Sequence, residues 1–147
     1  VEVTDDTFSQ PAGGRDLHLG DSLELQLDAD LAGDFDDGAM SADDWQIGIS
    51  PGDLTGRRPE VYAWRPLGAP LAGVRLGARE TDTGYVIEAA LPWAALDVNP
   101  QAVDALGASL NVSDNDTAEP QQQTLAAGAP RRAWDDPRTW ATWVLAR

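Results

Sequence analysis

The chain has 147 residues, 42% of them hydrophobic, which is one domain's worth of sequence with enough apolar content for a buried core. Ten arginines against 25 Asp and Glu leave a formal charge of −15, so nucleic acids and anionic membrane surfaces, which need a basic face, are poor partners. The absence of cysteine excludes disulfides, thiolate metal sites and thiol nucleophiles, and the single histidine, His18, is all that a Ser-His-Asp triad could draw on. No run approaches the 18 or so consecutive apolar residues of a membrane-spanning helix.

The recurrent period is two. Across 21–28, Leu23, Leu25 and Leu27 face one way and Ser22, Glu24 and Gln26 the other, the pattern of a strand with one buried face. Residues 1–3, 46–50, 61–64, 74–79, 85–91, 109–112 and 139–145 read as further strands. Turn pairs punctuate them: Gly13-Gly14, Pro51-Gly52, Thr83-Gly84, Asn99-Pro100 and Ala129-Pro130. Two short helices are expected, 93–96 after Pro92 and 101–106 after Pro100. Many short strands with little helix predict a single all-β domain over 1–147, an antiparallel, jelly-roll-like β-sandwich.

Between Asp28 and Asp44 lie seven aspartates, at 28, 30, 34, 36, 37, 43 and 44, with no arginine. A solvated acidic loop is one reading. The other is a bound cation, because like charges on one ordered loop repel, and calcium accepts 6–8 oxygen ligands in flexible geometry. Asp28 and Asp30 are two apart at a strand end, so their carboxylates share a face, and Asp43 and Asp44 return at the start of the next strand. The EF-hand pattern does not apply, since counting from Asp28 puts Ala32 at its fifth position and Ala39 at its twelfth. A second polar cluster, Asn111 to Asp116, reads equally as turn chemistry or as the lining of a site.

Six tryptophans exceed the usual need of such a core. Sugar rings have apolar faces ringed by hydroxyls, and aromatic platforms beside carboxylates and amides suit them. Trp93, at a strand-to-helix corner, is expected in the core. Trp140 and Trp143 have opposite parity in one strand, so at most one is buried on a given face. Trp134, between Arg131-Arg132 and Asp135-Asp136-Pro137, sits in a polar loop and is the expected platform.

The succession of the 21–28 strand, an acidic loop ending Asp43-Asp44, Gly84-Tyr-Val-Ile-Glu-Ala-Ala-Leu-Pro-Trp93, Asn111-Val-Ser-Asp-Asn-Asp116 and Trp134-Asp-Asp-Pro-Arg-Thr-Trp140 resembles carbohydrate-binding module family 9, a DOMON-like β-sandwich group. The resemblance implies an extracellular or cell-surface accessory module of polysaccharide-degrading enzymes such as xylanases. It also implies a terminal sugar clamped between two tryptophans, with structural calcium near Asp28, Asp43 and Asp44. Trp134 matches one platform and Glu24 a sugar-hydroxyl acceptor. His18 stands at the other platform, and the family's arginine donor falls near Gly48, so it is missing there. The family carries further strand-forming sequence ahead of a segment such as Val1-Glu-Val-Thr-Asp-Asp6, so the first strands are expected either on a preceding part of a longer protein or absent from a shortened variant. A sheet without them would leave an edge open to self-association.

The expected function is therefore non-catalytic binding of mono-, oligo- or polysaccharide. Trp134 and His18 would hold the ring, Glu24, Asn111 and Asp114 would take hydroxyls, and Trp64 is the next candidate platform. Asp28, Asp30, Asp43 and Asp44 form the expected calcium set. The alternatives are a haem b redox domain using His18 and Met40, a glycosidase in which two carboxylates flank a cleft, and a structural or protein-binding sandwich.

Overall fold

In the computed structural model, which describes residues 1–146, the alternation of residues 22–28 is realised as a strand whose Leu23 and Leu27 are 2% and 3% exposed. The strands in chain order are β1 (Glu2–Thr4), β2 (Ser22–Asp28), β3 (Asp44–Ser50), β4 (Glu60–Arg65), β5 (Arg75–Thr81), β6 (Gly84–Ala90), β7 (Ala105–Asp114), β8 (Thr124–Ala127) and β9 (Ala141–Val144). They form two antiparallel sheets. The larger runs β4-β3-β2-β7-β8, with β9 paired to the first half of β7 and β8 to its second half. The smaller is β1-β6-β5.

Side-chain alternation fixes which faces meet. Leu23 and Leu27 of β2, Trp45, Ile47 and Ile49 of β3, and Leu106 and Ala108 of β7 pack against Tyr85 and Ile87 of β6. Trp45 is seated by its indole N–H, which donates to the Leu96 carbonyl at 3.0 Å. The opposite face of the larger sheet carries Ser22, Glu24, Gln26, Asp28, Ser109, Asn111 and Ser113, and these too are buried. Two covering segments explain this. A 3-10 turn at Gly14–Leu19 sends the fully buried Leu17 down onto β3, and the stretch 128–140 returns over β2. The sandwich thus has an apolar layer between its sheets and a polar layer beneath its loops.

Several expected elements are corrected. Residues 101–106 do not form a helix: the Asn99 side chain caps a turn through the Gln101 amide at 3.1 Å, and β7 begins at Ala105 so that Leu106 can enter the core. The strand expected over 139–145 is Ala141–Val144, because Pro137–Thr139 is a separate 3-10 turn. The expected 93–96 helix is the 3-10 turn Trp93–Ala95, which puts Leu96 and Val98 inside and leaves Trp93 39% exposed, not in the core. Trp140 is 8% exposed and Trp143 42%, as their opposite parity requires. The smaller sheet ends in two unpaired edges: β1 is three residues long, and β5 exposes Arg75 and Arg79.

Candidate functional site

The polar layer opens to solvent at a cleft of about 340 Å³ lined by His18, Glu24, Gln46, Trp64, Arg132 and Trp134, with Gln122 and Leu125 at one side. Glu24 lies at its floor. It is only 7% exposed, because neighbouring strands flank it: its Cα partners are Gly48 on β3 and Asn111 on β7. Its carboxylate oxygen Oε1 accepts from Gln46 Nε2 at 2.9 Å and forms an ion pair with Arg132. A buried carboxylate requires such partners, since an unpaired charge there would cost several kcal/mol.

Arg132 was not anticipated. Its Nε donates to Gln26 Oε1 at 2.7 Å, and Gln26 in turn donates to the Trp134 carbonyl at 2.8 Å. The sequence offers no arginine near Gly48 of β3, yet a guanidinium does enter the cleft, from the 128–140 segment. Gly48 has a different task. A Cβ there would collide with the Trp64 indole and with Leu17, so only glycine lets both lie across β3.

Trp64 reaches the cleft through a register break. Gln46 pairs with Arg65 and Ile47 with Ala63, which leaves Trp64 as the extra residue of a β-bulge. Bulges redirect side chains. Here the indole lies edge-on to His18, ring centroids 5.6 Å apart at 82°, and its N–H donates to the Arg15 carbonyl at 2.7 Å. Trp134, in contrast, is 57% exposed. Its backbone is fixed nonetheless by an Ala133–Asp136 bridge, by the Ala133 amide donating to Thr139 Oγ1 at 2.8 Å, and by the Trp140 indole donating to the Ala133 carbonyl at 3.0 Å. The ring is therefore presented to solvent on a braced turn.

Of the sequence-derived site residues, Trp134, His18, Glu24 and Trp64 come together; Asn111 and Asp114 do not line the cleft. Asn111 is fully buried and accepts from the Gly128 amide at 3.2 Å and from Ser109 Oγ at 2.8 Å, so it braces the floor. Asp114 accepts from Thr124 Oγ1 at 2.9 Å. Gln46, Gln122 and Arg132 escaped the sequence reading. Gln46 sits on the same alternating polar face as Glu24 and could have been found by parity; the other two lie in irregular loops. Met40 does not line the cleft: it gives its carbonyl to Arg65, and His18 has Trp64 as its ring neighbour.

The acidic segment places its residues differently from the expected four-ligand set. Asp28 and Asp44 are direct partners across β2 and β3, 2% and 0% exposed, and each has one buried oxygen, Oδ1, without a hydrogen-bond partner. Burial, followed by the charges of Asp34, Asp44 and Asp43, pushes the Asp28 carboxyl up to about 7. Burial likewise raises Asp44, with Asp43 and Asp34 adding to it. Gly107 makes room for the Asp28 side chain, which a Cβ at that position would contact. Asp43 is engaged elsewhere, accepting from the Asp30 amide at 2.8 Å and from Ser41 Oγ, and Asp30 is exposed.

A two-sheet antiparallel sandwich, with an open cleft walled by aromatic rings and floored by a paired carboxylate, defines a β-sandwich protein of the kind that binds a small polar ligand on one sheet. The comparisons identify it further. The model for carbohydrate family 9 binding domain-like proteins matches residues 1–147, and the chain belongs to that family. Among solved structures, it is similar to a carbohydrate-binding module family 9 from Caldicellulosiruptor kristjanssonii in complex with cellotriose. The TM-score is 0.67 at 16% identity, over 95% of this chain and 63% of that one. A second structure of that family and organism, in complex with glucose, aligns with TM-score 0.65 at 14% identity, over 97% of this chain and 66% of the other. The chain thus spans just under two thirds of the length of these solved proteins. No curated protein matches it in sequence.

Proposed function

We propose that this chain is a non-catalytic carbohydrate-binding domain that holds a glucose-type sugar, free or at the end of an oligosaccharide, in the cleft between Trp134 and the His18–Trp64 pair. The observation that carries the reading is the indole of Trp134, left 57% exposed on a braced turn beside a buried Glu24–Arg132 pair. An apolar ring beside fixed polar groups is what a pyranose, with its apolar faces and equatorial hydroxyls, requires. Glu24 Oε1 is occupied by Gln46 and Arg132, so its other oxygen is the acceptor for a sugar hydroxyl, while Arg132 and Gln122 supply donors. The solved relatives hold cellotriose and glucose, which fits a β-linked glucan. Hydrolysis needs two carboxyl groups flanking the scissile bond, and among the described residues Glu24 is the one carboxylate lining the cleft.

The same reading includes a structural calcium bound between Asp28 and Asp44, whose unpartnered buried oxygens suit a cation. It also includes export from the cell, attachment to a glycan-degrading enzyme, and pairing with another chain through the β1 or β5 edge. Titration of tryptophan fluorescence with glucose, cello-oligosaccharides and xylo-oligosaccharides tests the central claim. Saturable change with at least one series is expected. Trp134→Ala should weaken binding about tenfold or more, the equivalent of 1.4 kcal/mol, with an unchanged circular dichroism spectrum. No response in fluorescence or calorimetry to any of these sugars would overturn it.

A further inference from the structure

The loop between β2 and β3 leaves the sheet just after Gln26, whose amide holds the Trp134 carbonyl, and returns just before Gln46, which lines the cleft. Two arginines reach this loop, and each belongs to a different aromatic wall. Arg65, next to Trp64 in β4, donates from Nη2 to the carbonyls of Met40 and Ser41 at 2.5 and 2.9 Å. Arg138, from the segment that carries Trp134, lies against Gly38, where a Cβ would fall on its guanidinium. The stretch between these contacts is held in its own right. The Ala39 amide donates to Asp37 Oδ1 at 3.0 Å, and the Ser41 amide to Asp44 Oδ2 at 2.5 Å, where β3 begins.

Arg138 is also bound to the turn that presents Trp134. Ala133 and Asp136 form a bridge, so Trp134 and Asp135 are the tip of that turn. Arg138 grips its last residue through a two-pronged ion pair, Nε to Asp136 Oδ1 at 2.9 Å and Nη2 to Oδ2 at 2.8 Å. Asp136, by hydrogen bond and charge, and then Asp37 and Asp36 raise the pKa of this guanidinium, so carboxylates of both the turn and the loop act on it. The Arg138 side chain is 52% exposed and that of Asp136 23%, and such a pair adds little to global stability. Its effect is local. With more than half its surface in solvent, the Trp134 side chain is located chiefly by the backbone beneath it.

We infer that residues 38–41 are a cross-brace between the two aromatic walls of the cleft, with Arg138 and Arg65 as positioning residues that hold Trp134 and Trp64 ready for the sugar. The inference rests on the carbohydrate reading of the cleft and adds to it a control on affinity from outside the lining. A turn fixed before the ligand arrives spares binding the cost of ordering it. Gly38 is the residue that lets the guanidinium approach the loop, and Asp36 and Asp37 supply the field that keeps it there.

Calorimetric titration of the full chain with glucose and with cello-oligosaccharides tests this on Gly38→Ala, Arg138→Met and the double variant. Gly38→Ala removes no charge, and its methyl meets only the flexible end of Arg138, so the fold is kept, as circular dichroism checks. Each single variant should bind about two- to tenfold more weakly, the cost of one side chain left to be ordered on binding. The double variant should be no weaker than Arg138→Met, because both changes break the same contact. Arg138→Lys, which keeps the charge without the fork, should recover part of the loss. Arg131→Met, which removes an exposed charge from the same segment, should bind as the parent does. Parental affinity in Gly38→Ala or in Arg138→Met would overturn the inference. If the parent itself binds no sugar, the carbohydrate reading fails and amide hydrogen exchange decides the brace. Faster exchange across 133–140 in Gly38→Ala than in the parent then supports it, and equal exchange overturns it.

Discussion

Glu24 shows how one residue joins stability and recognition. Its side chain is 9% exposed and that of its partner Arg132 10%, so neither charge has water to fall back on. Replacing such a pair by apolar groups is often neutral, but removing one member strands the other. Arg132→Met should therefore destabilise the fold by about 3–5 kcal/mol, and Glu24→Gln added to it should recover part of that loss. Chemical denaturation of the two variants measures both; equal stability of Arg132→Met and the parent would show that the pair is not formed in solution. The same pair marks where sequence reading stops. Glu24 was legible because alternation placed it on the polar face of an otherwise leucine-rich strand, and Trp134 because an indole in a polar loop lacks core neighbours. Arg132 meets Glu24 across 108 positions of sequence, from a loop with no periodicity, so only the fold could bring it there.

At the scale of elements, the β3–β4 bulge does what neither strand's pattern announces. Regular pairing through Gln46 and Ile47 would set Trp64 in register; the extra residue turns its indole across Gly48 and toward His18. Gly48→Ala tests this arrangement. The added methyl would meet both Trp64 and Leu17, and overpacking of this sort costs about 1–3 kcal/mol. It should also push the indole off its seat and weaken sugar binding more than Tyr62→Ala, whose ring touches Trp64 from the side at 6.2 Å. An alanine variant with parental stability and affinity would mean that Trp64 has another seat. Strand pattern was most readable where one face is apolar and one polar, as in β2. It was least readable at β8, with one half-buried leucine in four residues, and at 101–106, where a Pro-led helical pattern lost to the need for Leu106 in the core.

For the whole molecule, the decisive quantity is the charge of −15 and where it is buried. Asp21 and Asp28 hold their protons up to about 7 in the folded chain against 3.8 when unperturbed, burial being the main cause in each, and Asp44 is raised in the same way. Between those limits the folded state binds more protons than the unfolded one, so stability must fall as pH rises. Asp53 and Asp136, whose carboxyls are lowered by hydrogen bonds, give up their contribution only below this window. The metal-free protein should therefore melt at progressively lower temperature from about pH 4.5 to 7.5 and level off above it. Calcium reverses the balance, because a cation favours the ionised carboxylates that burial opposes. At a hundredfold excess over its dissociation constant, one ion contributes about 2.7 kcal/mol, or about 5–10 °C in a chain of this size. The gap between melting points with calcium and with chelator should accordingly be wide at pH 8 and narrow near pH 5. Identical melting points at pH 8 would exclude a structural ion at the Asp28–Asp44 pair, and would leave these buried carboxyls of β2 and β3 to ionise there without a cation.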